Sequence, residues 1–199
     1  MKRLLFILAT ISFIVSCQTK QRDQEQRNKE FEIALSEAQK EVISKDTIFL
    51  NFRFGMSEKE VINHFNSLLK EKKVYLKNNK YTYDFHTSKT TLETKFEAEY
   101  FNDKLYKFIL IFDSDNMSSG VCMFQALNTF KEKALSDGYR LYIYENLLGE
   151  TEYYYIKKNI VIQFSNIGST AKMIYTNQPV IELINKEKKK QEKSTISDF

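Results

Sequence analysis

Phe54-Gly55-Met56-Ser57-Glu58-Lys59-Glu60-Val61 is the stretch that sets the reading of this chain. Gly55 breaks an apolar run, and Ser57 and Glu60 stand in the spacing of a capping box. In that motif the serine hydroxyl accepts from the amide three residues on, and the carboxylate there accepts from the serine amide. Met56 and Val61 occupy the two positions of a hydrophobic staple. Downstream, Val61, Ile62, Phe65, Leu68 and Leu69 recur at helical spacing, and Lys70, Lys72 and Lys73 close the helix where its dipole favours cations. Upstream, Ile48, Leu50, Phe52 and Phe54 alternate within Thr47 to Phe54, which predicts a half-buried strand leading into the turn.

Working toward the carboxyl terminus, strand patterns follow the helix. Val74 to Lys77 and Lys80 to Phe85 flank Asn78-Asn79, a two-residue hairpin turn, since Asn tolerates positive φ. Leu92, Thr94, Phe96, Ala98 and Tyr100 alternate up to a turn at Asn102-Asp103-Lys104. Leu105 to Phe112 is apolar at nearly every position, as in a central strand covered on both faces. A second helix follows, with Ser119 as its expected cap, Met123, Leu127, Phe130 and Ala134 on one face, and Gly138 at its stop. Four more strand patterns come next: Tyr139–Glu145, Glu152–Lys157, Ile160–Phe164 and Ala171–Thr176. Pro179 opens a last helix that dissolves into a charged tail.

The pattern is helix, four strands, helix, four strands. It predicts an α+β fold in which an antiparallel sheet carries its helices on one face. Two tandem α-β4 units, at about 46–118 and 119–178, are joined by amino- and carboxy-terminal helices. The two halves share element order and negligible residue identity. This architecture resembles beta-lactamase inhibitor protein and, per half, the small lipoprotein of the outer-membrane barrel assembly machine. The Gly-Met-Ser opening of the helix is similar too, although it is mostly capping chemistry. Those proteins bind other proteins, which the resemblance extends to this chain only as an expectation.

Toward the amino terminus the pattern changes. Lys2 and Arg3 precede an apolar run of 12 residues, Leu4 to Val15, where a helix needs about 20 residues to span a bilayer. Ile14-Val15-Ser16-Cys17 follows, and a polar segment comes after it. Residues 1–17 resemble the signal peptide and lipobox of bacterial lipoproteins. The resemblance implies cleavage after residue 16 and a diacylglyceryl thioether on Cys17, with further acylation of its amino group giving two or three chains where one would hold only weakly. Gln18 follows the cysteine in place of Asp, so by the same resemblance the expected location is the bacterial cell envelope, at the outer membrane facing the periplasm. Residues 17–30 read as a solvated tether, either coil or in part helical, and Phe31, Leu35, Ala38 and Val42 as one stripe of an amphipathic helix. The globular domain is expected at 31–185, with 186–199 as the tail.

The formal charge of +4 dissolves under this reading. Cleavage removes Lys2 and Arg3, leaving 28 basic against 26 acidic residues, and the Lys-rich run 186–193 carries the remaining excess. The folded part is near neutral, and nucleic-acid binding is not expected.

Candidate chemistry is sparse. His64 sits on the flank of the first capped helix, and His86 ends a strand. Neither stands in a zinc-binding or catalytic spacing. Asp113-Ser114-Asp115-Asn116 starts like a calcium loop, but Ser118 and Phe124 occupy the positions where Gly and Glu are required. Cys122 reads as a small buried hydrophobe. No cofactor, metal site or catalytic residue is expected. Of the chain's 12 Tyr, Tyr142, Tyr144, Tyr153, Tyr155 and Tyr175 crowd the second half, where they either stabilise the sheet or form an interaction face. The leading expectation is a non-enzymatic, membrane-tethered module that binds an envelope protein through its sheet. The alternative is a carrier or sensor of a small apolar ligand held between sheet and helices.

Overall fold

Ser57 caps its helix with both halves of the box in place: Glu60 N donates to Ser57 Oγ at 3.3 Å, and Ser57 N donates to Glu60 Oε2 at 2.7 Å. Local spacing was sufficient to specify this element, because every group involved lies within four residues. The structure is a computed structural model that describes residues 22–43, 45–114, 117–167 and 170–197. The signal-like segment and Cys17, and likewise Asp115, Asn116, Gly168 and Ser169, lie outside the described residues.

The elements are α1 (22–40), a 3-10 turn (Phe49–Asn51), α2 (Glu58–Lys70), β1 (Tyr75–Lys77), β2 (Lys80–His86), β3 (Thr91–Phe101), β4 (Lys104–Asp113), α3 (Ser119–Ser136), β5 (Arg140–Glu145), β6 (Thr151–Lys157), β7 (Ile160–Ile167), β8 (Thr170–Asn177) and α4 (Gln178–Ser197). The eight strands form one sheet in the order β1-β2-β3-β4-β8-β7-β6-β5, antiparallel throughout. The expected α+β architecture, with α-β4 occurring twice, is what the chain adopts. Pairing of β4 with β8 joins the two hairpin sets at the centre, with Ile109 opposite Ile174 and Leu110 opposite Met173. That places β4 between two neighbours, at the centre of the sheet.

Turn chemistry sets the register. Asn78 and Asn79 both take left-handed φ, 50° and 61°, and Asn102 and Asp103 do so at 49° and 55°. Two consecutive positive φ values define the tight turn whose twist matches a hairpin. Gly138, at φ 84°, ends α3 by letting Tyr139 N reach Ala134 O at 3.0 Å. The cap of α3 is Ser118, one residue before the expected Ser119.

Alternation along each strand divides the side chains between two faces. The inner face carries the main core: Leu92, Phe108, Leu110, Phe112, Tyr155, Ile162, Phe164, Met173 and Tyr175. It is covered by Val61, Phe65 and Leu68 of α2 and by Cys122, Ala126, Leu127 and Ala134 of α3. The expected one-faced packing holds for α2 and α3. It does not hold for α1, which lies on the opposite face of the second half. There Phe31, Ala34 and Ala38 pack with Ile156, Val161, Tyr142, Tyr144 and Tyr154. The reason is composition: the outer face of β5–β7 is apolar enough to need a lid of its own.

Two further expectations are corrected, and one open alternative is decided. Thr47 to Phe54 is not a sheet strand. Leu50 and Asn51 turn left-handed, at φ 51° and 64°, and fold the segment into a loop bridged at Thr47 and Arg53. Its alternation still buries Ile48, Phe52 and Phe54, so the apolar signal was correct and its geometry was not. Of the segment 17–30, residues 22–30 are helical, and Asn28 Nδ2 donates to Glu145 O at 2.8 Å while Asn28 Oδ1 accepts from Glu145 N at 3.1 Å. The charged tail does not dissolve at 186: α4 runs to Ser197, helped by good helix formers and by Lys186 paired with Glu182 one turn back at 3.5 Å. No helix among the described residues is long and apolar enough to cross a membrane.

Candidate functional site

Above the inner face, where the two halves meet, the 47–51 loop and α3 stand apart and leave a cleft of about 430 Å³. The loop wall exists because Phe52 N donates to Phe49 O at 3.1 Å and Ile48 N to Phe52 O at 2.7 Å, which curls Ile48, Phe49 and Leu50 toward α3. Helical spacing on α3 supplies the opposite wall, with Thr129, Phe130 and Lys133 side by side. Asp137 and Tyr139 close the end where Gly138 turns the chain. Tyr83, Phe85 and His86 of β2 and Tyr175 of β8 come from the sheet.

The lining mixes aromatic and aliphatic side chains with polar ones. Phe49 meets Tyr83 edge-on at 5.3 Å between ring centroids, and Phe130 meets Tyr175 edge-on at 6.4 Å. Burial pushes the Tyr139 hydroxyl up to about 12, aided by the charges of Asp137 and Asp46. Burial likewise raises Tyr175 well above its ordinary value and raises Tyr83. These phenols stay neutral across the physiological range and can donate or accept hydrogen bonds inside the cleft. Lys157 braces the far end, its Nζ donating to Asp137 O at 2.6 Å and lying 5.6 Å from the Tyr139 ring centroid. Lys133 and Asp137 form no ion pair with each other or with any other side chain among the described residues.

His86 lines this cleft together with Asp137, yet its Nδ1 is hydrogen-bonded to Thr91 Oγ1 at 2.9 Å, and among the described residues no ion pair joins it to a carboxylate. His64 holds Leu50 O through Nε2 at 2.8 Å and sits edge-on to Phe52, so it positions the loop from behind. Cys122 is 1% exposed and burial pushes its thiol pKa up, the opposite of an activated nucleophile. No group of three or more His, Cys, Asp or Glu among the described residues is arranged to hold a metal ion.

The five tyrosines singled out as an interaction face do not form one surface. Tyr155 and Tyr175 are buried beneath α3, with Tyr153 half-buried beside them. Tyr142 and Tyr144 project to the other side, where they pack with α1; Phe31 lies 5.0 Å from Tyr144 and 4.3 Å from Tyr154 between ring centroids. A sheet residue and its neighbour necessarily point to opposite faces, and helices cover both faces here. The cleft residues that sequence reasoning did not single out are Phe49, Asn51, Tyr83, Thr129, Lys133 and Asp137. Thr129, Lys133 and Asp137 share one flank of α3 at helical spacing, and only the meeting of that flank with the 47–51 loop and β2 gives them a role.

No family model, curated protein or solved structure matches this chain. The resemblance to beta-lactamase inhibitor protein and the barrel assembly lipoprotein is an expectation from the order of helices and strands alone.

Proposed function

We propose that this chain is an envelope lipoprotein, anchored through Cys17 at the outer membrane and facing the periplasm. Its domain is a non-enzymatic binding module that holds a small, largely apolar ligand with a polar end. The cleft carries this reading. Its volume falls within the range of about 300–1,000 Å³ typical of small-molecule sites, and its lining combines apolar walls with a few convergent polar groups. Ile48, Phe49, Leu50, Phe85 and Phe130 would take the apolar body. Lys133, Thr129, His86 and the neutral Tyr139 hydroxyl would orient the polar end. The lipobox-like residues Ile14 to Cys17 support the anchor.

The test is displacement of a fluorescent fatty-acid analogue by dodecanoate. Thr129→Trp places bulk in the mouth of the cleft from an exposed helical position. The expected result is about tenfold weaker binding, roughly 1.4 kcal/mol, with thermal stability unchanged. Equal affinity in the parent and in Thr129→Trp would remove this reading.

A protein partner is the second reading. It is favoured by Val121 and Phe124, adjacent on the outer side of α3 and 44% and 60% exposed. Phe124→Ser that abolished capture of an envelope protein, while leaving fatty-acid displacement intact, would move the assignment there.

A further inference from the structure

Two leucines stand fully in water at one end of the molecule. Leu147 and Leu148 occupy the turn between β5 and β6, at 103% and 84% relative exposure. The turn that presents them is held from within. Asn146 N donates to Glu150 O at 3.0 Å, Gly149 N to Asn146 O at 2.9 Å, and Asn146 Oδ1 accepts from both Leu148 N and Glu150 N at 3.0 Å. Gly149 takes φ 77°, a value its neighbours' side chains would resist. The backbone is therefore satisfied and the leucines are held out on an ordered tip.

The direction of that tip is set by α1. Asn28 is bonded to both backbone groups of Glu145, Phe31 lies on Tyr144 and Tyr154, and Ala34 and Ala38 pack with Ile156 and Val161. Going from Ala38 back to Asn28 therefore runs along the hairpin from its base toward the 146–149 turn. The six residues from Asn28 back to Arg22 carry the helix about 9 Å further the same way. The tip extends roughly 7 Å beyond Glu145, two residues of strand. The amino-terminal end of α1 and the leucine tip thus project from the same end of the domain. Only five peptide links separate Arg22 from Cys17, a reach of at most about 18 Å.

We propose that Leu147 and Leu148 insert into the lipid bilayer as a second contact beside the acyl chains on Cys17, fixing the orientation of the domain on the membrane. This rests on the anchor reading. The contact is apolar rather than electrostatic, because Arg22 and Arg27 alternate with Asp23 and Glu25, and Glu145 and Glu150 flank the tip. One lipid-modified residue followed by a short link leaves a domain free to tumble, whereas a second insertion point removes that freedom.

The test uses the mature lipoprotein carrying Leu148→Cys, labelled with an environment-sensitive fluorophore and reconstituted into phosphatidylcholine vesicles. Cys122 is buried and does not compete for label. Leu76→Cys, on the opposite edge of the sheet, is the control. The expected result is blue-shifted emission at 148, quenched by lipids spin-labelled near the headgroup, with neither effect at 76. Flotation with the vesicles but no quenching at 148 overturns the insertion and leaves the anchor intact. Equal quenching at both positions also overturns it. Failure to float, with an unmodified Cys17 by intact mass, overturns the anchor and the insertion together.

Discussion

The first α-β4 half and the second share an element order and differ on the outer face of the sheet. In the first half that face is open and charged. Lys95 bonds Asp113 at 3.1 Å and lies 3.8 Å from Glu93, Lys77 pairs with Glu93, and Lys107 and Tyr106 both bond Glu99, at 2.8 and 2.7 Å. In the second half the same face carries Tyr142, Tyr144, Tyr154, Ile156 and Val161, and α1 covers it. Both inner faces contribute to one main core, so the difference lies on the outer side. One half spends its outer side chains on solvated ladders, and the other on docking a helix.

The largest test of this contrast is Phe31→Ala, which removes the ring wedged between Tyr144 and Tyr154. It should destabilise the domain by about 3–5 kcal/mol, read from the urea midpoint. A cost under about 1 kcal/mol would mean that α1 is not an integral layer of the second half.

Alkaline titration is the next test. Tyr139 is raised to about 12 by burial first and then by Asp137 and Asp46. A raised folded value means that this stability is full below the unfolded pKa of about 10 and is lost as pH rises through about 12. The loss should be on the order of 2 kcal/mol for this one group. Tyr154 and Tyr175, raised by burial, add to it from the same half. Absorbance of ionised tyrosine should appear together with unfolding, and ionisation of these groups without loss of structure would contradict the burial argument.

Ser57→Ala removes the capping box of the first half and should cost about 1 kcal/mol by thermal denaturation, with no change in the cleft. Smallest of all, Lys95→Ala on the open ladder should cost about 0.2–1 kcal/mol, less at high salt. The Lys95 hydrogen bond holds the Asp113 carboxyl below its usual range. Its contribution is therefore present above the ordinary carboxylate pKa and disappears as pH falls through the lowered value. A Lys95→Ala effect as large as that of Phe31→Ala would erase the distinction between the two outer faces.

Legibility in the sequence followed the range of each interaction. The Ser57 box, the Asn78-Asn79 turn and the Gly138 stop were readable because each is completed within a few residues. The β4 run was readable as central because most of its positions from Leu105 to Phe112 are apolar. Thr47 to Phe54 misled because a period of two records which side chains are buried, not whether the backbone between them stays extended. Leu50 and Asn51 break it with positive φ values that no turn-forming pair announces. The tyrosines left two readings open, sheet stabilisation or an interaction face, because what covers each face lies in α1 and α3, elsewhere in the chain.

The sequence by itself determined the twice-repeated order of one helix and four strands, the antiparallel pairing and the Ser57 cap, because these depend on neighbours along the chain. Only the tertiary structure decided that α1 crosses to the outer face, that the tyrosines are buried on both sides, and that the 47–51 loop, α3, β2 and β8 enclose a cleft. Such outcomes depend on which distant apolar surfaces meet, and the free energy of that meeting is shared among residues that no local pattern connects.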